Sequence, residues 1–365
     1  MKHPADWMSA PGAETQVVVT SRVRLARNLS DHPFPGWARK KERKAAFELM
    51  RPLVEDLKVM KNAFSQEFSE LELINKQVLV ERHLISREQA ARAEGSGAVI
   101  NRKQTASLML NEEDHLRIQA MRPGLRLQEA YELANEIDRH LEQSLAFAYD
   151  ENWGYLTACP SNLGTGMRAS AMLHLPGLVM SDQVGSVLKG VDKLGLAVRG
   201  LYGEGTSSLG NLFQISNQST LGESEEDIVG QLSRVIADVA LYEAEARQRL
   251  FEDDPAMLED QIGRAYGILR YAHILNSKEA LNLLSLLRLG ADFEFFPVEV
   301  VELCDALLME IQPAHLQWRA GNRLGAEERD ALRAEIIRER LQSTPEPAND
   351  LEDNNNLTEN EDSED

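Results

Sequence analysis

Ser21-Arg22-Val23-Arg24-Leu25-Ala26-Arg27 sits inside a run, residues 16–30, in which apolar and polar side chains alternate. A period of two is the mark of a strand half buried against a core. On such a strand Arg22 and Arg24 project from one face while Val23 and Leu25 take the other. Two guanidinium forks side by side match the bidentate geometry of phosphate oxygens. Read alone, the motif fits a solvated edge strand equally well.

Outward from this strand, a charged helical stretch covers about 39–70, and strand-like runs recur at 76–86, 97–110 and 115–121. Leu127–Tyr149 reads as an amphipathic helix, with Ala130, Leu133, Ile137, Leu141 and Leu145 at spacings of three and four. Residues 153–159, 195–203 and 210–217 read as strands, and Ser224-Glu-Glu-Asp227 has the form of a capping box opening a long helix to about 250. After Asp253-Asp254-Pro255 strand signals nearly vanish, and Leu-rich helical periods run to about 341. The expected fold class is α+β. A catalytic domain with a mostly antiparallel sheet flanked by helices occupies 16–253, after an N-terminal segment, 1–15. An all-α C-terminal domain follows over 254–341, then a disordered acidic tail over 342–365.

The formal charge is -20, but Leu341–Asp365 holds nine Asp/Glu and no Lys/Arg, so the rest of the chain carries about -11. An acidic chain does not condense onto nucleic acid, whose affinity comes from neutralised phosphates. Its arginines therefore serve a local site. No apolar run is long enough to span a membrane, and the first twenty residues lack the basic start and apolar core of a signal peptide. Two distant cysteines, Cys159 and Cys304, make no disulfide framework, so a reducing cytoplasm is the expected location.

Three further stretches bear on chemistry. Met109-Leu-Asn-Glu-Glu-Asp-His-Leu-Arg-Ile-Gln119 places three consecutive acids at a strand connection, with Arg117 opposite Leu116 and Ile118. A guanidinium, with its pKa above about 12, is a poor nucleophile until carboxylates orient it and draw off a proton. An acidic turn accounts for the motif when it stands alone. Cys159-Pro-Ser-Asn-Leu-Gly-Thr-Gly-Met-Arg-Ala-Ser170 reads as a Gly-rich turn leading into a helix, whose N–H groups would suit an anion. Its Gly164-x-Gly166-x-x-Ala169 lies in no βαβ pattern, so the dinucleotide reading is set aside. Cys159 is either a thiolate favoured by arginines or a buried inert thiol. Arg199-Gly-Leu-Tyr-Gly-Glu-Gly205 fits a loop close to a ligand or a plain hairpin. The chain lacks GxxxxGK[ST], HRD and DFG, which excludes the two commonest ATP-using designs.

Taken in order, SRVRLARN, VERHLIS, LMLNEEDHLRIQ, CPSNLGTGMRAS and RGLYGEG…GNLFQISNQSTLG resemble the phosphagen (guanidino) kinase family, most closely its bacterial protein-arginine-kinase branch. The resemblance covers about 15–340 and implies transfer of the ATP γ-phosphoryl group to arginine residues in proteins; the alternative is a small-guanidine (free arginine) kinase. It implies an ATP site of Thr20, Ser21, Arg22, Val23, Arg24, His83, Arg117, Arg168, Ala169, Ser170, Ala171, Met172, Arg199, Gly200, Leu201, Tyr202, Gly203 and Glu204. It implies acceptor chemistry at Glu112, Glu113, Cys159 and Glu204, with one of the first two taking the proton. Mg2+ is implied as the partner of ATP, without a dedicated protein metal cage.

Small-molecule members carry a helical domain before the first ATP-binding arginine. Here that arginine is already Arg22, and the helical region follows instead. Arg329-Asp-Ala-Leu-Arg-Ala334 resembles a motif that in the bacterial branch binds phosphoarginine away from catalysis, which implicates Arg329, Asp330, Arg333 and Ala334. On a helix Arg329 and Arg333 share a face and could grip one phosphate. The resemblance further implies a homodimer through the helical domain, a zinc-binding activator of the McsA type, a Clp ATPase/protease and a setting in protein quality control.

Overall fold

The computed structural model describes Trp7, residues 17–200 and residues 208–347. Numbered in chain order, its strands are β1 (Val18–Arg27), β2 (Phe64–Glu67), β3 (Gly97–Ile100), β4 (Ala106–Leu110), β5 (Leu116–Pro123), β6 (Tyr149–Asp150), β7 (Gly154–Tyr155), β8 (Met167–His174), β9 (Leu196–Gly200) and β10 (Leu212–Asn217). The helices are α1 (Lys40–Glu55), α2 (Leu73–Glu81), α3 (Arg87–Ala90), α4 (Leu127–Glu142), α5 (Pro176–Met180) and α6 (Val184–Lys193), then α7 (Glu225–Asp253), α8 (Pro255–Tyr271), α9 (Ser277–Asp292), α10 (Glu299–Glu310), α11 (Pro313–Ala320) and α12 (Ala326–Arg340). Eight strands make one antiparallel sheet in the order β2-β3-β4-β5-β1-β8-β10-β9, which places β1 between β5 and β8 near its centre.

Strand alternation divides the sheet into two different faces. On one, Val23, Leu25, Leu116, Ile118, Ala169, Ala171, Phe213 and Ile215 merge with Phe47 and Met50 of α1, Ile137 and Leu141 of α4, and Leu232 and Ile236 of α7. Each large side chain buried there contributes about 1.5–3 kcal/mol. Arg27, of the same parity, also turns into this layer and meets Asp138 of α4 at 2.6 Å. On the other face Met121, Met172 and Leu212 join a second core with Leu258, Leu269, Leu284, Leu307, Leu316 and Ile337 of the helices after 254. Helices α8–α12 thus cover part of that face, and the rest carries Arg22, Arg24, Arg117 and Arg168. Among the described residues no helix is long and apolar enough to cross a membrane.

The strand around Arg22 and the helix opened by Ser224 form as expected; the Ser224 hydroxyl accepts the Asp227 N–H at 3.1 Å. Several segments differ. The helix expected over 39–70 ends at Glu55, and Phe64–Glu67 pairs with β3 instead. The strand expected at 76–86 is α2 up to Glu81. Tertiary packing overrides its Val-rich composition: Val78 and Leu79 are buried, and the Glu81 carboxylate accepts the N–H groups of Ala314 (2.7 Å) and His315 (3.0 Å) at the start of α11. The run 97–110 folds back on itself around Gln104, whose φ is 58°, making the hairpin β3–β4. The helix from Leu127 stops at Glu142, short of Tyr149, and only Gly154–Tyr155 of 153–159 is strand. The Gly-rich turn does not lead into a helix: Met167–His174 is a central strand, β8, paired with β1 and β10. Most of the N-terminal segment, and the tail from 348, lie outside the described residues.

Candidate active site

Arg22 and Arg24 of β1, Arg117 of β5 and Arg168 of β8 stand on adjacent strands and on one face of the sheet, a placement that follows from register: Arg24 pairs with Arg168 across β1–β8, and Arg117 with Ala26 across β1–β5. They line a cavity of about 310 Å3 together with Glu113, Cys159, Arg199 and Gln214. Arg22 is held by the Ser170 hydroxyl (3.4 Å) and the Gln214 amide oxygen (3.1 Å), and Arg168 by the Ser216 hydroxyl (3.2 Å). The Nε atoms of Arg24 and Arg168 are buried and have no hydrogen-bond partner. Such donors are expensive to leave unmade and mark where an acceptor belongs.

The cluster is electrostatically uncomfortable when empty. Burial, reinforced by Arg168 and Arg117, lowers the Arg22 pKa to about 10. Burial and then Arg22, Arg117 and Arg168 push Arg24 well below its ordinary value, against the pull of Glu112. Arg168 is lowered by burial, Arg199 and Arg117. Crowded guanidiniums that disfavour their own charge are relieved by a polyanion.

The acids sit on the turn between β4 and β5. Asn111 takes a left-handed φ of 54°, which an Asn tolerates, and its amide donates to the carbonyls of Arg43 and Gly95, both at 2.7 Å. The turn closes through Asn111 N–H to His115 O (2.8 Å) and Glu112 N–H to Asp114 O (3.1 Å). Glu112 is buried, accepts the Ser86 hydroxyl, and meets Arg117 Nη1 at 2.9 Å, while Glu113, partly open, meets Arg117 Nη2 at 3.2 Å. The acid pair therefore already grips one guanidinium with a carboxylate on each nitrogen.

Cys159 reaches the same cavity from the loop before β8, with its sulfur 3.1 Å from the Ser161 hydroxyl. Asp114 fixes that loop to the acidic turn by accepting the Ala158 N–H at 2.7 Å and the Asn28 amide at 2.6 Å; burial raises its pKa. The glycines of this loop serve close approach rather than a nucleotide. A Cβ on Gly164 would stand 2.2 Å from the Thr220 carbonyl oxygen, and one on Gly166 2.6 Å from that of Ala26, both at positive φ. Cys304 is buried in the helical core, where burial raises its pKa.

Past Arg22 and Gln214 the cleft continues into a smaller, more apolar pocket lined by Trp7, Thr20, His83, Met121, Ser170, Ala171 and Met172. Burial and Arg22 hold the His83 pKa down at about 3, so its ring is neutral there.

Not every expected site residue faces this cleft. The Ser21 hydroxyl donates to Gly124 O on the opposite side (2.7 Å), and Val23 and Ala169 lie in the helix-covered core. Gly200 ends β9 beside Phe213. Leu201, Tyr202, Gly203 and Glu204 lie outside the described residues. Residues not anticipated are Ser86, Asn28, Asp114, Gln214 and Ser216. Two signals were available: Ser86-x-x-Gln89 has capping form, realised as Gln89 N–H to Ser86 at 2.9 Å, and Gln214 and Ser216 share the polar parity of their run.

The expected pairing of Arg329 with Arg333 needs correction. Arg333 turns into the helical core, where it donates to the carbonyls of Leu275 (2.7 Å) and Ile311 (3.2 Å) and pairs with Asp330 at 2.5 Å. Ala334 is fully buried. Arg329 instead lines a groove of about 710 Å3 between α2 and the α11–α12 region, with Asn75, Gln77, Trp318 and Arg323. The i, i+4 spacing does put the two on neighbouring turns, but Arg333 is buried while Arg329 stays at the groove.

Residues 47–246 match the family model for the ATP:guanido phosphotransferase C-terminal catalytic domain, and 255–352 that for the protein-arginine kinase McsB C-terminal domain. The chain is 46% identical over 341 residues to a protein-arginine kinase of Syntrophomonas wolfei, covering 92% of this chain and 95% of that one. It is 45% identical over 347 residues to one of Brevibacillus brevis, covering 93% and 96%. Among solved structures, a lombricine kinase superposes with a TM-score of 0.56 at 24% identity, over 66% of this chain and 69% of that one, a likeness of fold. A catalytic-domain match followed by a helical-domain match, with near full-length relatives at such identity, means that the chain belongs to the protein-arginine kinase family of ATP:guanido phosphotransferases.

Proposed function

We propose that this chain transfers the γ-phosphoryl group of ATP, in line, to the guanidinium of arginine residues in proteins. The observation that carries the reading is the cavity that Arg22, Arg24, Arg117 and Arg168 line together with Glu113 and Cys159, with the Nε donors of Arg24 and Arg168 left unpartnered. Arg22, Arg24, Arg117, Arg168 and Arg199 bind the phosphates and neutralise charge that spreads over the transferred group. Mg2+ arriving with ATP would supply further neutralisation of the phosphate charge. Glu112 and Glu113 orient the acceptor guanidinium, as their hold on Arg117 illustrates, and one takes the proton released as the N–P bond forms and the bond to the leaving ADP oxygen breaks. Cys159 contacts the acceptor from the loop side. The apolar pocket beyond Arg22 takes the base.

The reading extends to a cytoplasmic homodimer, a zinc-binding activator and delivery of marked proteins to a Clp-type protease. Exposed Ile268 and Tyr271 on α8 support self-association through the helical region. The groove at Arg329 is the place proposed for phosphoarginine.

The test is incubation with ATP and an unfolded protein, followed by mass spectrometry under non-acidic handling. Phosphoarginine on the protein, lost with Glu112→Gln, is the expected result. Acid-labile phosphate on free arginine but not on protein would reassign the acceptor.

A further inference from the structure

We infer that Trp7 recognises the nucleotide base, its indole forming a wall of the base pocket; the inference rests on the ATP reading above. Trp7 is 1% exposed, yet its indole Nε1 is buried with no hydrogen-bond partner. Buried tryptophans ordinarily find an acceptor for this N–H, because an unmade bond costs free energy. Trp7 lines a pocket with Thr20, His83, Met121 and Met172, which adjoins the arginine cavity through Arg22 and Gln214. A purine has what the pocket lacks: in-plane ring nitrogens that accept such a bond, and an apolar face. The indole meets the neutral His83 ring edge-on, at 6.0 Å between centroids and 69° between planes, so the lining already favours aromatic contact.

The pocket offers only about 20 Å3, room for about one water and far less than a purine needs. A base therefore enters only if the lining yields. Thr20, Met121 and Met172 are carried on strands β1, β5 and β8, whereas Trp7 belongs to neither strand nor helix.

The experiment is calorimetric titration of the full chain with ADP and with inorganic tripolyphosphate, for wild type, W7A and W7F. One lost base–aromatic contact weakens ADP about tenfold in W7A. W7F, which keeps a ring but no N–H, falls between and serves if W7A does not fold. Tripolyphosphate, which fills only the arginine end, binds all three alike. Unchanged or tighter ADP binding in W7A overturns the inference, the latter because the indole would then be a plug in the base's place. Equal weakening of both ligands overturns it too, since that is a structural effect. If wild type binds neither ligand, the ATP reading itself has failed.

Discussion

Replacing Arg24 with Met removes a charge that the empty protein does not want and the occupied one needs. Arg24 has an unpartnered Nε and three guanidinium neighbours that, after burial, depress its pKa, with only Glu112 opposing them. A buried donor left unmade costs about 1–3 kcal/mol. Part of the side chain faces the solvent-filled cavity, so the net relief on removing it is at the low end, about 1–2 kcal/mol. For a protein of this size that raises the Tm of the nucleotide-free form by about 1–3 °C. The sign with pH follows from linkage. Folding lowers these guanidinium pKa values, so the unfolded chain holds the protons more tightly. The penalty is then fully present at neutral pH, easing only above the folded value, about 10 for Arg22. With nucleotide the balance reverses, because a charge-assisted bond to phosphate worth about 1.5–3 kcal/mol is lost, roughly 10- to 150-fold in affinity. Thermal unfolding without nucleotide and calorimetry with ADP read the two halves. A Tm that falls in R24M, or ADP affinity that does not change, refutes the picture of a cluster held under repulsion for a polyanion.

Three more outcomes follow from particular contacts. Asp114→Ala frees the Cys159 loop from the acidic turn, and misplacement on the ångström scale lowers kcat about 10²-fold while ADP affinity holds; a parallel loss of ADP affinity would contradict a positioning role. Arg333→Ala strands two buried carbonyl oxygens and a partly exposed carboxylate and destabilises the chain by about 3 kcal/mol, whereas Arg329→Ala leaves the urea midpoint unchanged; only the second is a clean probe of phosphoarginine binding, and stimulation that survives it removes that assignment. Folding lowers the His115 pKa from 6.5 to about 4, chiefly by burial, so the unfolded chain takes the proton first and stability falls as pH drops from 6.5 toward 4. His115→Asn should make the loss between pH 7 and 5.5 shallower by about 1 kcal/mol, and identical slopes in urea titrations would count against it.

What could be read from the sequence, and what could not, divides by the range of the forces involved. The alternation around Arg22 and the cap at Ser224 are local, and both form as written. Residues 76–86 misled because Val78, Leu79 and Val80 carry strand composition, while the contact that makes them helical is the Glu81 carboxylate on α11, more than two hundred residues away. Residues 167–174 misled for the opposite reason. Their Ala and Ser are small because β8 is squeezed between β1 and β10 beneath a helical layer, and small residues read as helix when the neighbours are unseen. The site shows the same division. Arg22, Arg24, Glu112 and Arg117 belong to compact motifs, but Ser86, Asp114 and Gln214 matter through partners far along the chain. Arg333 is the sharpest case. Helical spacing alone puts it beside Arg329, yet which flank of α12 meets the core is decided by Leu275 and Ile311, on segments that periodicity in α12 says nothing about. A motif therefore names the side chains that carry charge, and only packing decides whether that charge is offered to a ligand or consumed by the fold.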